Sequence, residues 1–308
     1  MKQKVLLDGK SLKIEDILNI AEKGYKVEIL DKIEQEIKEK RIKLEAQLKE
    51  YPEIKIYGTN RLHGDLKYVD VYIDSLEKYQ EKYIKVHNCG TGAPIPNEVV
   101  RAIMVIRLNS FVKGFSGMRG ETIQLMLDML NKNVTPVVLE EGSVGASGDL
   151  VPLAMISAVM IGLEEAEAYY NTELLSAKEA LKRAELEPTK LGAKEAMGLT
   201  NGSNFIAAFS VFAIRDTENL IKHASIAGAL SLEAIRGEKD AFSELINENR
   251  PHSGQVKIAS EIRNLINAAI RAKASRKAAF SNSGLIDELL NCEHDFATVS
   301  MKKATARV

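Results

Sequence analysis

A run of small residues at positions 142–150 is the most unusual part of the sequence. It reads Gly-Ser-Val-Gly-Ala-Ser-Gly-Asp-Leu and places Ala146, Ser147 and Gly148 side by side. Glycine-rich loops often bind phosphate, but this run lacks the lysine followed by serine or threonine that a phosphate loop requires. It also lacks the glycine fingerprint of dinucleotide-binding folds. Taken alone, the run is typical of a glycine-rich turn between two helices.

Three further segments contain residue types that can do chemistry. Residues 57–60 read Tyr-Gly-Thr-Asn, residues 87–90 read His-Asn-Cys-Gly, and residues 200–202 read Thr-Asn-Gly. Each segment also has an ordinary structural interpretation when it is taken alone. The interpretations are a half-buried tyrosine for 57–60, a structural histidine for 87–90 and an Asn-Gly turn for 200–202.

Taken in their order along the chain, 57–60, 87–90, 142–154 and 200–202, these segments resemble the aromatic amino acid ammonia-lyase family. This family includes histidine, phenylalanine and tyrosine ammonia-lyases and the related 2,3-aminomutases. The run 142–154 is similar to the segment whose Ala-Ser-Gly tripeptide cyclises to 4-methylideneimidazol-5-one (MIO) in that family. The resemblance implies an MIO formed from Ala146, Ser147 and Gly148, with no metal or nucleotide cofactor. Glycine suits such a cyclisation because it permits unusual backbone dihedrals. The product would be an electron sink, which ordinary side chains do not supply.

The resemblance also implies roles for residues outside the tripeptide. Tyr57 matches the family's general base at the substrate β-carbon, Asn60 in the same loop is assigned to substrate binding, and Asn201 matches an asparagine near the cofactor and the substrate carboxylate. A tyrosine serves as a base near neutral pH only when positive charge or hydrogen-bond donors favour its phenolate. The family's loop continues Thr-Gly-Phe-Gly, whereas residues 61–64 here read Arg-Leu-His-Gly.

Val86 and His87 match the position at which the family reads the substrate side chain. Histidine-specific members carry Ser-His there, whereas tyrosine- and phenylalanine-specific members carry His-Leu and Phe-Leu. A buried histidine can select a polar ring, because a substrate without a matching group leaves it unpaired. The resemblance therefore favours a carbon–nitrogen lyase that converts histidine to trans-urocanate and ammonia. A phenylalanine or tyrosine lyase, or a 2,3-aminomutase, is the alternative.

Long helices must position these residues, because the apolar periodicity of the chain is mostly helical. Helices are predicted over 14–24, 33–51, the segment after Pro96, 121–131, 152–163, 172–186, 205–235 and 254–279, and short strands over 2–7 and 54–58. The predicted class is mainly α. The resemblance implies a long-helix bundle of the ammonia-lyase (fumarase/aspartase-like) type with a small N-terminal α/β-like region. Two domains are expected: 1–200, bearing the MIO tripeptide, and 201–308, beginning the central bundle.

The overall composition disfavours several classes of protein. Among 308 residues the formal net charge is -1, and the absence of a long basic run disfavours a nucleic-acid partner. The sequence contains neither an apolar signal-peptide core at its start nor a long uninterrupted apolar stretch, which predicts a cytoplasmic protein without a membrane partner. The two cysteines, Cys89 and Cys292, cannot support a disulfide scaffold. Taken alone, Cys89 is expected to be a small buried hydrophobe.

The length gives an expectation about assembly. The chain corresponds to roughly the first half of the resembled family and is truncated relative to it. The family's later Gln-Asp-x-Tyr-Ser-x-Arg motif, whose arginine binds the substrate carboxylate, has no match in these residues. Three interpretations stand: one subunit of a split enzyme, an inactive truncated product, or a binding or regulatory homologue. The expected partners are a small amino-acid substrate and further subunits, either in a homotetramer or in a hetero-oligomer with a chain that carries the C-terminal half.

Overall fold

The computed structural model of the protein describes residues 3–72 and 75–281, with side chains described through residue 267. Two compact units divide the chain, Met1–Ala213 and Ile214–Val308, and their boundary falls inside a long helix. The described part is mainly helical, as the sequence predicts. The domain division at residue 200 stays a prediction. Cys292 lies outside the described residues.

A small α/β arrangement forms the beginning of the first unit. Strand β1 (Lys4–Leu7), helix α1 (Ile14–Lys23) and strand β2 (Lys26–Ile29) follow one another, and β1 pairs with β2 in parallel. Helix α1 ends at Gly24, whose φ of 66° is left-handed and therefore favours glycine. The predicted N-terminal α/β-like region is thus confirmed.

The rest of the first unit consists of helices joined by short strands. In chain order these are α2 (Asp31–Glu50), α3 (Leu76–His87), β3 (Thr91–Pro94), α4 (Asn97–Phe111), α5 (Gly120–Asn131), β4 (Val134–Pro136), β5 (Leu139–Glu141), α6 (Leu150–Met160), β6 (Glu167–Tyr170), β7 (Glu173–Ser176), α7 (Ala177–Arg183) and α8 (Glu195–Thr200). Strand β3 pairs antiparallel with β5, and β6 pairs antiparallel with β4 and β7. Helices α4 and α6 are buried on most sides and form the centre of the core. A helix that is apolar nearly all round, such as α6, is typical of such a position.

Two long helices dominate the later part of the chain. Helix α9 (Asn204–Ala234) is followed by the short α10 (Glu244–Glu248) and by α11 (Ser253–Ser281), close to the predicted ranges 205–235 and 254–279. In the second unit Ala229 of α9 is buried with Ile262 and Ile266 of α11. By length and composition alone the stretch Glu195–Ala234 could cross a membrane, although 33% of its most apolar window is buried inside the protein. The central helix of a helical bundle has the same length and composition.

Two local predictions are wrong. Residues 54–58 form no strand, because the side chain of Asn60 bonds the backbone of Ile54 and Ile56 and so satisfies groups that a partner strand would pair. The predicted helix 172–186 begins only at Ala177, since the preceding strand β7 pairs with β6 across a turn at Asn171. Tertiary pairing here outweighs the helical propensity of the sequence.

Candidate active site

Helix α8 connects the segments that carry the candidate residues. The loop of residues 54–64 is called the Tyr57 loop. A Cβ built on Gly58 in this loop would lie 2.5 Å from the Sδ of Met197, so the Tyr57 loop packs closely on α8. Near the end of the same helix, the side chain of Thr200 interacts with the Tyr83 phenol of α3. Because the chain continues from α8 directly into 201–202, one short helix contacts the Tyr57 loop, helix α3 and the tripeptide loop.

The tripeptide lies in the loop between β5 and α6, and a backbone contact constrains its last residue. Gly148 has a φ of 97°, and a Cβ at this position would lie 2.6 Å from the carbonyl oxygen of Gly202. Both the left-handed dihedral and the close approach require glycine. Ala146 and Ser147 are exposed, so the loop is held at its end while its middle remains accessible. A loop with a constrained Cβ-free residue at 148 fits the MIO precursor that the sequence predicts.

Asp149 anchors the tripeptide to the beginning of α9. Its backbone N–H donates to the carbonyl oxygen of Gly202 at 2.7 Å, and its Oδ2 accepts from the N–H groups of Phe205 and Ile206 at 3.1 and 3.2 Å. The Ser143 hydroxyl donates to Oδ1 at 3.1 Å. These two N–H groups have no partner within the helix, so the buried carboxylate caps α9 from a distant part of the chain.

Arg107 of α4 positions the segment that contains Asn201. Its guanidinium donates to the carbonyl oxygen of Asn201 at 3.0 Å, to the side chain of Asn204 at 2.9 Å and to the carbonyl oxygen of Gly198. Burial lowers the pKa of Arg107 to about 10. The side chain of Asn201 is exposed. The backbone of Asn201 is therefore fixed while its amide stays accessible, and its role toward a cofactor or a carboxylate stays a prediction.

The Tyr57 loop closes on itself through one hydrogen bond. The backbone N–H of Gly64 donates to the Oη of Tyr57 at 2.8 Å, and Tyr57 is half exposed. The backbone of the loop thus holds the phenolic oxygen in place. Asn60 is buried and uses both ends of its amide inside the loop, since Oδ1 accepts from the N–H of Ile56 and Nδ2 donates to Ile54. Asn60 thus shapes the loop, and its contact with substrate stays a prediction.

His87 belongs to a cluster of four rings. Tyr79, Tyr83 and His87 follow at four-residue spacing on one face of α3, and His63 from the Tyr57 loop packs against them. The Tyr83 and His87 rings stack at 4.3 Å between centroids, and His63 meets the Tyr83 edge at 4.4 Å. Val86 lies outside the cluster and is exposed. The structure therefore brings His87, but not Val86, to the Tyr57 loop.

Burial disfavours charge on three members of the cluster. Burial, together with the neighbouring Tyr83 and Tyr57, raises the pKa of Tyr79 to about 12. Burial also raises the pKa of Tyr83 and, together with repulsion from His87, lowers the pKa of His63 below its ordinary value. Tyr79, Tyr83 and His63 are therefore uncharged hydrogen-bonding groups near neutral pH.

The segment after His87 borders a cleft of about 210 Å³ lined by Asn88, Gly90, Leu139, Met155 and Glu165. Cys89 is exposed and free, so the expectation of a buried hydrophobe is wrong. Its neighbours in β3 lie at the surface, which leaves no core for the thiol. Within residues 3–72 and 75–281 no group of three His, Cys, Asp or Glu side chains is arranged to hold a metal ion.

Sequence reasoning assigned no role at this site to several residues that build it. Asp149 and Arg107 anchor the tripeptide loop and Asn201, and His63 and Tyr83 surround His87. The signals were present but weak, because an aspartate directly after the tripeptide looks like an ordinary local cap. The clearest signal was the histidine that stands at position 63 where the family pattern has phenylalanine.

Comparisons with known proteins extend over most of the chain. The aromatic amino acid lyase family matches residues 12–283. The histidine ammonia-lyase of Caldanaerobacter subterraneus subsp. tengcongensis is 38% identical over 264 residues, which cover 86% of this chain and 51% of that protein. The chain therefore spans about half the length of the curated relatives it matches.

Solved structures share the fold. Ergothionase from Treponema denticola matches with a TM-score of 0.80 and 30% identity, covering 85% of this chain and 52% of that chain. Phenylalanine aminomutase from Pantoea agglomerans matches with a TM-score of 0.79 and 27% identity, covering 85% of this chain and 49% of that chain. Proteins named for different reactions on different amino-acid derivatives thus share this fold.

Proposed function

The chain belongs to the aromatic amino acid lyase family, and from this we propose that it carries the cofactor-forming tripeptide of a histidine ammonia-lyase, which converts histidine to trans-urocanate and ammonia. The observation that carries the proposal is the placement of Gly148, with its left-handed φ and its contact with the carbonyl of Gly202. A tripeptide that only glycine can end, held by a buried aspartate, is what backbone cyclisation needs.

Ala146, Ser147 and Gly148 would form the MIO. When present, this group supplies an electrophile that makes the substrate amine a better leaving group. The residues of the chain do the remaining work. Asp149 and Gly202 hold the end of the loop in place, and Arg107 fixes the backbone of Asn201 so that its amide can bind the substrate carboxylate.

Tyr57 is the general base of the proposed reaction. It removes the proton from the β-carbon of histidine as the C–N bond breaks, which leaves a trans double bond and ammonia. The N–H of Gly64 supports this role because it donates to the same oxygen that must carry negative charge.

His87 reads the substrate ring. Its Nδ1 lies 2.8 Å from the carbonyl oxygen of Tyr83, and a carbonyl can only accept, so Nδ1 carries the proton. In the neutral ring Nε2 is then an acceptor, which pairs with an N–H on an imidazole. A phenylalanine ring would leave this nitrogen unpaired. This contact supports histidine over phenylalanine.

Further subunits complete the proposed enzyme. Helix α9 exposes large apolar side chains, among them Ile206, Leu220 and Ile226, which other helices would bury. We propose that these come from further copies of this chain in a homotetramer or from a chain with the other half of the family's length. Charged residues in α9, such as Asp216 and Lys222, support an assembly in the cytoplasm rather than in a bilayer.

Intact mass and product formation test the proposal. Cyclisation removes two water molecules, so the purified protein should be lighter than its sequence by that amount. Ser147→Ala should keep the full mass because it has no hydroxyl to lose. Incubation with histidine should produce urocanate, which is measured by its ultraviolet absorbance. The candidate partner chain is added to this assay if one is found.

Other products would identify the alternatives. Cinnamate or coumarate from phenylalanine or tyrosine, without urocanate from histidine, would show a different lyase. A β-amino acid would show an aminomutase. An unmodified wild-type mass would contradict the proposal and favour a binding or regulatory homologue.

A further inference from the structure

We propose that His63 is a second specificity-determining residue, and that the rings of His63 and His87 form a donor–acceptor pair which selects a neutral imidazole. The inference rests on the proposed function and extends it, because it assigns a substrate contact to the Tyr57 loop. Residue 63 is a histidine where the resembled family pattern has phenylalanine.

The ring of His87 on α3 lies beside the ring of His63 in the Tyr57 loop. Their ring centroids are 5.5 Å apart, and both pack on Tyr83. His63 follows Tyr57 by six residues and immediately precedes Gly64, whose N–H holds the Tyr57 phenol. A group that contacts both imidazoles therefore lies beside the proposed base.

Opposite tautomers follow from the hydrogen-bond partners of the two rings. His87 donates from Nδ1 to the carbonyl oxygen of Tyr83, which leaves Nε2 as an acceptor in the neutral ring. The Nδ1 of His63 lies 3.0 Å from the Oη of Tyr79. We assign the Tyr79 phenol, which keeps its proton, as the donor to Nδ1, and His63 then carries its own proton on Nε2.

The two Nε2 atoms are the ring nitrogens that the proposed ligand would contact. In residues 3–72 and 75–281, neither has a hydrogen-bond partner, and both side chains are partly accessible. His63 presents a donor and His87 an acceptor. A neutral imidazole has one ring nitrogen of each kind, so it can satisfy both. A phenyl ring satisfies neither, and a phenol has one oxygen that must serve both.

The tautomers can be measured on the chain itself. In protein labelled with ¹⁵N-histidine, two-bond proton–nitrogen NMR spectra distinguish Nδ1–H from Nε2–H rings. The chain has five histidines, and His63→Gln and His87→Gln assign two of them. We expect His87 as the Nδ1–H tautomer and His63 as the Nε2–H tautomer near neutral pH. The same tautomer at both positions would overturn the proposal.

Ligand preference supplies the second test. 3-(Imidazol-4-yl)propionate and 3-phenylpropionate resemble substrates but lack the amine, so their binding is independent of MIO chemistry. Calorimetry should show that the wild type prefers the imidazole compound and that His63→Phe lowers this preference about tenfold, the effect of one lost hydrogen bond. His223→Phe is the matched control, since His223 is exposed on α9, and it should change nothing.

The two hypotheses fail in different ways. An unchanged preference in His63→Phe would overturn the role of His63, even if the wild type forms urocanate from histidine. Equal affinity of the wild type for both compounds would also overturn it. An unmodified mass would instead contradict the proposed lyase while leaving the tautomers and the ring preference measurable.

Discussion

The tripeptide loop and the ring cluster are built in different ways. Backbone atoms hold the tripeptide: Gly148 touches the carbonyl of Gly202, and Asp149 receives the N–H groups that begin α9. Side chains hold the ring cluster, in which His63 and His87 contact each other and Tyr83. A side chain added at Gly148 would meet the backbone of Gly202, whereas the members of the ring cluster contact one another through their side chains. The two proposed roles, cofactor formation for the tripeptide loop and substrate choice for the ring cluster, therefore rest on different groups within one unit of the chain.

The largest effect is expected at Gly148. Gly148→Ala places a Cβ 2.6 Å from the carbonyl oxygen of Gly202 at a φ of 97°. We expect the free energy of unfolding to fall by about 3 kcal/mol from strain and overpacking, and cyclisation to stop. Urea denaturation and intact mass measure the two outcomes.

Gly145→Ala is the matched control. Gly145 also has a positive φ, of 72°, but a Cβ there would meet no atom within 4 Å. It should cost about 1 kcal/mol from the dihedral alone and still lose two water molecules. Equal effects at both positions would show that the contact with Gly202 has no role.

Tyr57→Phe should separate the two regions. Without its hydroxyl the side chain cannot accept a proton, so urocanate formation by the complete enzyme should fall about 10²- to 10⁴-fold. The mass should still be lower by two water molecules, because Tyr57 lies outside the tripeptide loop. If Tyr57→Phe also failed to lose the two water molecules, the tripeptide loop and the Tyr57 loop would not act separately.

Asp149→Ala tests the anchor of the tripeptide. It removes the acceptor for the N–H groups of Phe205 and Ile206, which should cost about 2 kcal/mol of stability and slow the loss of water. Ser243→Ala removes the cap of α10 and should lower the free energy of unfolding by about 1 kcal/mol or less. This variant should still lose two water molecules at the rate of the wild type. If the two variants lose water at the same rate as the wild type, Asp149 only caps a helix.

The smallest effect concerns the pH dependence of the ring cluster. Burial and the neighbouring His87 lower the pKa of His63 in the folded protein. The unfolded chain then binds more protons, so this stabilisation is present above a pH of about 6.5 and is lost as the pH falls through the lower folded value. Urea midpoints should fall with acidification less steeply in His63→Gln than in the wild type. Parallel curves would contradict the buried, neutral ring.

The sequence predicts the features that depend on local patterns. The long helices α9 and α11 follow from apolar periodicity, and the tripeptide is recognisable from its composition and flanking residues. Features that depend on distant contacts were missed. Asp149 caps a helix that begins 55 residues later at Asn204, which no rule for local capping can detect.

The ring cluster shows the same limit. His63 lies in an aperiodic loop, and only the packing of that loop on α3 and α8 brings it to His87. The strand β7 was likewise read as helix, because its partner β6 decides its conformation. Packing of the loop on distant helices determines the first region, and strand pairing in a tight hairpin determines the second.

The cap supplied by Asp149 also has a consequence for timing. The carboxylate finds its donors only after α9 has begun to form, and the residue next to it ends the tripeptide. A nascent chain without this helix leaves the tripeptide as flexible as any glycine-rich peptide. We therefore expect dehydration to come late in folding. The loss of two water molecules would then be a lasting chemical record that the helix has formed.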